Sequence, residues 1–199
     1  MIRALFRRLR RSRDGVTVIE FALLAPVLLT MLMGLLDLAH NMFTMQMLQG
    51  AVQQAARNSS IEGANIKTAA LDGIVTTAVH AISPQATLQF DRSAYSSFTD
   101  VAQPEDFTDI DSNETCDNGE PFEDANGNGT WDADRGRSGH GGARDAVLYT
   151  VTITYPRFFP IARLIPGQTD SFTMSTRTVL RNQPFGAQDA SAPAIGACT

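Results

Sequence analysis

Asp124, Asn126, Asn128, Thr130 and Asp132 stand at alternate positions around Gly129, in the stretch Asp-Ala-Asn-Gly-Asn-Gly-Thr-Trp-Asp. Alternation brings side-chain oxygens to one centre, and glycine permits the sharp turn between them. These are positions one, three, five, seven and nine of an EF-hand-like loop with glycine at six, a donor set suited to calcium. Magnesium fits less well, because it keeps several waters rather than taking many protein oxygens. The pattern breaks at position twelve, where Arg135 stands in place of a bidentate Glu. A complete EF-hand is therefore not expected, and Asp117, Glu120, Glu123 or Asp134 must supply the further acid. Without an ion, the same residues read as a solvated loop with Asn-Gly turns.

A second residue with chemistry to explain is Glu20. From Val16 to Leu36 the chain is apolar apart from this one carboxylate. Twenty-one helical residues reach roughly 30 Å, the thickness of a bilayer's hydrocarbon core. An ionised carboxylate facing lipid costs at least about 2.5 kcal/mol, so Glu20 either snorkels to the headgroups or meets a positive partner. The run passes into Asp37 and Leu38 without the small-residue cleavage site of a secretory signal peptide. Pro26 is tolerable in such a helix if it bends or if a neighbour satisfies the freed carbonyl. Arg3, Arg7, Arg8, Arg10, Arg11 and Arg13 precede the run against one acid, Asp14, a net of +5. That is how a cytoplasmic flank looks under the positive-inside rule.

Gly15, then four residues, then Glu20-Phe21 and an apolar helix resembles the processing site of type IV pilins and pseudopilins. More narrowly, Gly15-Val-Thr-Val-Ile-Glu-Phe-Ala-Leu-Leu-Ala-Pro26 is similar to the start of the TadE-like minor pseudopilins of tight-adherence (Flp, type IVb) systems. Ala51 to Arg57 and Val179 to Phe185 resemble the end of that family's long helix and its closing strand. The resemblance implies that a prepilin peptidase cuts between Gly15 and Val16, leaving the helix in the inner membrane and the head outside the cytoplasm. It implies that Glu20, with Phe21 beside it, meets the freed amino terminus of a neighbouring subunit. Physically the pair is sound, since an ammonium and a carboxylate neutralise each other in low dielectric. The implied partners are the peptidase, other pilins and pseudopilins, and the inner-membrane assembly platform. The alternative is an uncut single-span protein whose calcium-stabilised head binds a ligand or surface.

The remaining elements must position these residues. Leu38, Met42, Met45, Leu48, Val52 and Ala55 continue one helix to about Asn58 with a single apolar face. Asn65 caps a second helix whose face is Ile66, Ala69, Ala70, Ile74, Ala78 and Ile82, ended by Pro84. Thr87–Asp91, Ala146–Tyr155 and Ser171–Arg181 alternate as strands, and Pro156–Gly167 is expected to pack over the helix, the alternative being that it dips into the membrane interface through Phe158 and Phe159. The fold class is α+β: a membrane-spanning helix continuing into a head with a second helix and a small antiparallel sheet. Its segments are a basic leader (1–15), the long helix (16–60), the second helix and first strand (61–91), an acidic insertion (92–145), and the C-terminal strands and tail (146–199).

The chain's total charge of -5 leaves -10 for everything after the +5 leader. A body so acidic argues against nucleic acid as a partner. Cys116 and Cys198 belong to no metal-binding spacing. If the head lies in an oxidising compartment, they are expected to form a disulfide; the alternative is two separate thiols. His40, His80 and His140 lie in dissimilar contexts, and there is no nucleophile elbow or phosphate loop. No enzyme activity is expected.

Overall fold

The computed structural model describes residues 15–61, 68–160, 166–181 and 192–199. The leader upstream of Gly15, Asn65 and Ile66, and the end of the Val179–Phe185 stretch lie outside the described residues.

Helix α1 runs unbroken from Val16 to Ile61, three residues beyond the expected end. Its first half, Val16 to Leu36, carries exposed apolar side chains all round, as a lipid-facing helix does. Pro26 lies inside it and removes one backbone donor. Thr30 donates its hydroxyl to the Pro26 carbonyl at 2.7 Å. Among the described residues, this is the one helix long and apolar enough to cross a membrane.

The chain divides into two compact units. The described residues of the first are 15–43, 156–160 and 166–172. The expected packing of the segment from Pro156 is carried by a charge: Arg157 pairs with Asp37. Arg157 also donates to the Thr169 carbonyl and to Gln168 Oε1, each at 2.9 Å. Phe158 stays exposed, with its ring 6.0 Å from that of His40. The predicted apolar face of α1 does not hold here. Leu38 and Met42 are exposed, whereas Asp37 and Asn41 are buried.

The second unit holds the rest of α1, where Leu48, Ala51, Val52 and Ala55 are buried at helical spacing. Helix α2 spans Thr68–His80. Strands β1 (Thr87–Tyr95), β2 (Pro121–Asp124), β3 (Arg137–Ser138), β4 (Ala146–Pro156), β5 (Ser171–Arg181) and β6 (Ala194–Ala197) follow. The main sheet has the order β3-β1-β4-β5, and β2 pairs with β6 in a second. Strand β1 is antiparallel to β4, with Phe90 opposite Val151 and Arg92 opposite Tyr149.

Strand β4 alternates as expected and buries Val147, Tyr149, Val151, Ile153 and Tyr155. Each aliphatic side chain so buried contributes about 1.5–3 kcal/mol. Helix α2 differs from expectation. Its buried residues are Val75 and Val79, one position round from the predicted Ile74 and Ala78, and Ala69 and Ala70 are exposed. Asp72 sets that rotation, binding Arg92 and accepting from the Tyr149 hydroxyl at 2.7 Å. Burial and then the Asp72 carboxylate push the Tyr149 phenol well above its ordinary value.

Candidate functional site

At the start of α1, the Gly15 carbonyl accepts the first helical hydrogen bond, from the Ile19 N–H at 3.1 Å. Gly15 and Val16 are exposed, and nothing lies within 4 Å of where a Gly15 side chain would begin. Glu20 and Phe21 are exposed one turn on. Glu20 makes no hydrogen bond or ion pair with another described residue, so its carboxylate is available to a partner.

The acidic segment folds around a buried acid that sequence reasoning passed over. Glu105 takes the backbone N–H groups of Ala125 and Asn126 on one oxygen and that of Asp132 on the other. Trp131 donates its indole N–H to the Glu105 carbonyl at 2.8 Å. Glu105 therefore pins both ends of the loop that carries Asp124, Asn126, Asn128, Thr130 and Asp132. Asp124 accepts from the Gly127, Asn128 and Gly129 backbones. The amides of Asn126 and Asn128 both donate to Asp132 Oδ2, at 2.7 and 2.6 Å. The Asn128 side-chain oxygen accepts from Thr130. The five residues are brought together, with side-chain oxygens of Asp124, Asn126, Asn128 and Asp132 engaged by loop donors. Of the supplementary acids, Asp134 turns away to the Tyr95 hydroxyl at 3.0 Å, and Glu123 is exposed on β2. Arg135 is bound to the Pro104 carbonyl and Asp106.

Asp117 and Glu120 belong to a different loop, and there the acids converge. Carboxylate oxygens of Asp109, Asp111 and Glu120 all lie within 4.8 Å of one another. A cation with oxygens at 2.3–2.6 Å would fit between groups so spaced. The stretch Asp109-Ile-Asp-Ser-Asn-Glu-Thr-Cys-Asp-Asn-Gly-Glu120 has oxygen-bearing residues at positions one, three, five, seven, nine and twelve. These are Asp109, Asp111, Asn113, Thr115, Asp117 and Glu120, with the acid that the 124–135 loop lacks. Position six, normally glycine, is Glu114 in the left-handed conformation at φ 61°. Asp109 is held below the usual carboxylate range, chiefly by the Glu114 N–H and also by that of Asn113. It is fully charged at neutral pH. The twelve-residue spacing was the available signal for Asp109 and Asp111, masked by the missing glycine.

The two loops are tied to the end of the chain. Cys116 and Cys198 form a disulfide across 82 residues, with Cα atoms 5.2 Å apart. Cys198 also donates its N–H to the Glu120 carbonyl and accepts from the Gly119 N–H. Strand β6 pairs in register with β2, Pro121 opposite Ala197 and Asp124 opposite Ala194.

One N-terminal helix long and apolar enough to cross a membrane, followed by an α+β head, suggests a single-pass membrane protein. Residues 15–57 match the model of the TadE-like protein family. Residues 15–57 are thus similar to that family, in agreement with the resemblance carried by Gly15 to Pro26. No curated protein and no solved structure matches the chain.

Proposed function

We propose that this protein is a minor pseudopilin, cut by a prepilin peptidase between Gly15 and Val16 and needed to assemble or prime a tight-adherence pilus. The observation that carries the reading is the coincidence of the family match over 15–57 with the Gly15–Glu20 spacing. An α1 whose first residue is Val16 adds to it. In this reading the head lies outside the inner membrane. Glu20 receives the new amino terminus of a neighbouring subunit, and other pilins and the inner-membrane assembly platform are the further partners. Neutralising that carboxylate within the bilayer offsets a cost of about 2.5 kcal/mol or more, which ties insertion in the filament to subunit register.

The intact mass of the protein recovered from its native host tests the cleavage. A chain beginning at Val16 is expected; retention of residues 1–15 beside an active peptidase would leave the uncut anchored protein as the reading. Glu20→Ala is expected to be cut and inserted normally yet to fail to co-purify with pilus components. Normal co-purification contradicts the role of Glu20.

Calcium belongs to the same proposal. Asp109, Asp111, Asn113, Asp117 and Glu120, with the Thr115 carbonyl, are the first donor set, and Asp124, Asn126, Asn128, Thr130 and Asp132 a second. The ion would neutralise carboxylates that otherwise repel one another. Protease resistance of residues 109–132 is expected to rise with calcium. Glu120→Gln should abolish the effect if the first loop binds, Asp132→Asn if the second does. Identical digestion with calcium and with chelator would remove the ion from the reading.

A further inference from the structure

Residues 37–43 of α1 are inside out for a protein in water. Asp37 and Asn41 are 4% and 7% exposed, whereas Leu38, Met42 and Phe43 are 57%, 61% and 57% exposed. Aqueous surfaces select the opposite arrangement. The inversion is built by the segment after β4, because Arg157 pairs with Asp37, and Asn41 donates to the same carboxylate at 3.2 Å. Arg157 is also fixed by the Thr169 and Gln168 oxygens, and its guanidinium lies 5.1 Å from the Phe172 ring centroid. Asp37 Oδ2 is thus held by Arg157 and Asn41, Asp37 Oδ1 is buried without a hydrogen bond, and the outward face of the stretch is left apolar. Phe158, 75% exposed, adds to that face and stands against Phe159 at 5.2 Å between ring centroids.

From Val16 to Phe43 are 28 residues, about 42 Å of helix at 1.5 Å per residue. That matches a bilayer including its headgroup regions, about 40–45 Å, whereas Val16 to Leu36 covers only the hydrocarbon. We infer that Leu38, Met42, Phe43 and Phe158 form a lipid-immersed collar at the headgroup boundary, with the Asp37–Arg157 pair as its neutralised core. The inference rests on α1 spanning the membrane and adds how deep the chain sits. The occupant is lipid because the collar continues the apolar surface of the span without a break. Leu and Phe are also side chains with which interfacial segments bury themselves at the boundary between acyl chains and headgroups.

The full chain, reconstituted in phosphatidylethanolamine and phosphatidylglycerol vesicles, tests this with a polarity-sensitive fluorophore on Phe158→Cys and, separately, on Leu28→Cys. The Phe158 label is expected to emit to the blue, to lose most of its emission to bromines carried high on the acyl chain, and to resist aqueous iodide. The Leu28 label should respond to bromines carried low. Quenching of Phe158 by iodide and not by lipid, with Leu28 still buried, overturns the collar alone. Leu28 open to iodide overturns the span and the collar with it. A Phe158 signal that moves with the protein-to-lipid ratio and ignores bromolipid assigns the face to a second copy, and also overturns the inference.

Discussion

Glu114 stands where the turn of a twelve-residue calcium loop ordinarily has glycine, and its backbone is left-handed at φ 61°. An L residue held there costs about 1–2 kcal/mol. Its N–H nonetheless binds Asp109 Oδ2 at 2.9 Å, so the turn is made against its own preference. Glu114→Gly is therefore expected to raise stability by about 1 kcal/mol and to strengthen protection by calcium. An unchanged melting midpoint would show that the strain is not felt. His140 carries a second prediction at this scale. Burial first, and Arg92 beyond it, lower its pKa from the ordinary 6.5. Folding disfavours the protonated form, so His140 supports stability fully above about pH 6.5 and withdraws that support as pH falls through its lowered value. An NMR titration of the ring should give a midpoint below that of a free histidine, and His140→Gln should blunt the loss of stability on acidification from pH 7 to 5. The acids were legible only in part. The stretch from Asp124 has the glycine and lacks the final Glu, whereas the stretch from Asp109 has the Glu and lacks the glycine. A pattern keyed on glycine finds the first and passes over the second.

Elements were most legible where one face is unambiguous. Strand β4 alternates from Val147 to Tyr155 and is an interior strand of its sheet. In α2 two apolar stripes, one through Ile74 and Ala78 and one through Val75 and Val79, differ by one residue. Periodicity cannot choose between them. The choice is made by Asp72 reaching Arg92 and Tyr149 on other elements, a tertiary contact that no local window contains. On α1 the face read from Leu38 and Met42 reverses because Arg157, over a hundred residues away in sequence, draws Asp37 inward. Strand β6 was not foreseen at all, since Ala194–Ala197 has neither length nor alternation. Its place is secured by Gly196, where an added methyl would come within 2.4 Å of the buried Phe122 ring. Gly196→Ala is expected to cost about 1–3 kcal/mol by overpacking and to strip hydrogen-exchange protection from the β2–β6 pairing. Unaltered exchange at Ile195 and Phe122 would show that the ring yields freely.

At the scale of the whole molecule, the disulfide closes a loop of 82 residues, for which chain-entropy arguments give a stabilisation of about 4 kcal/mol. Cys198→Ser in the full chain, held in detergent, should lower the denaturant midpoint of the head accordingly. It should also leave the 109–120 loop open to protease even with calcium present. Retained protection would mean that the Glu120 and Gly119 backbone bonds to Cys198 suffice. Pairing of the two cysteines was expected from compartment alone, whereas the β2–β6 sheet that brings them together was not. Cys116 falls between the seventh and ninth positions of the Asp109 loop, so the crosslink and the acids share one short arc of chain. A copy still facing the reducing side of the membrane would carry two thiols and a splayed, self-repelling arm. If the head crosses the membrane and takes up calcium as proposed, it would ripen in a set order: translocation, then sulfur oxidation, then capture of the ion. A subunit stalled at any of these steps would differ visibly, to protease or to a partner, from one ready to be built in.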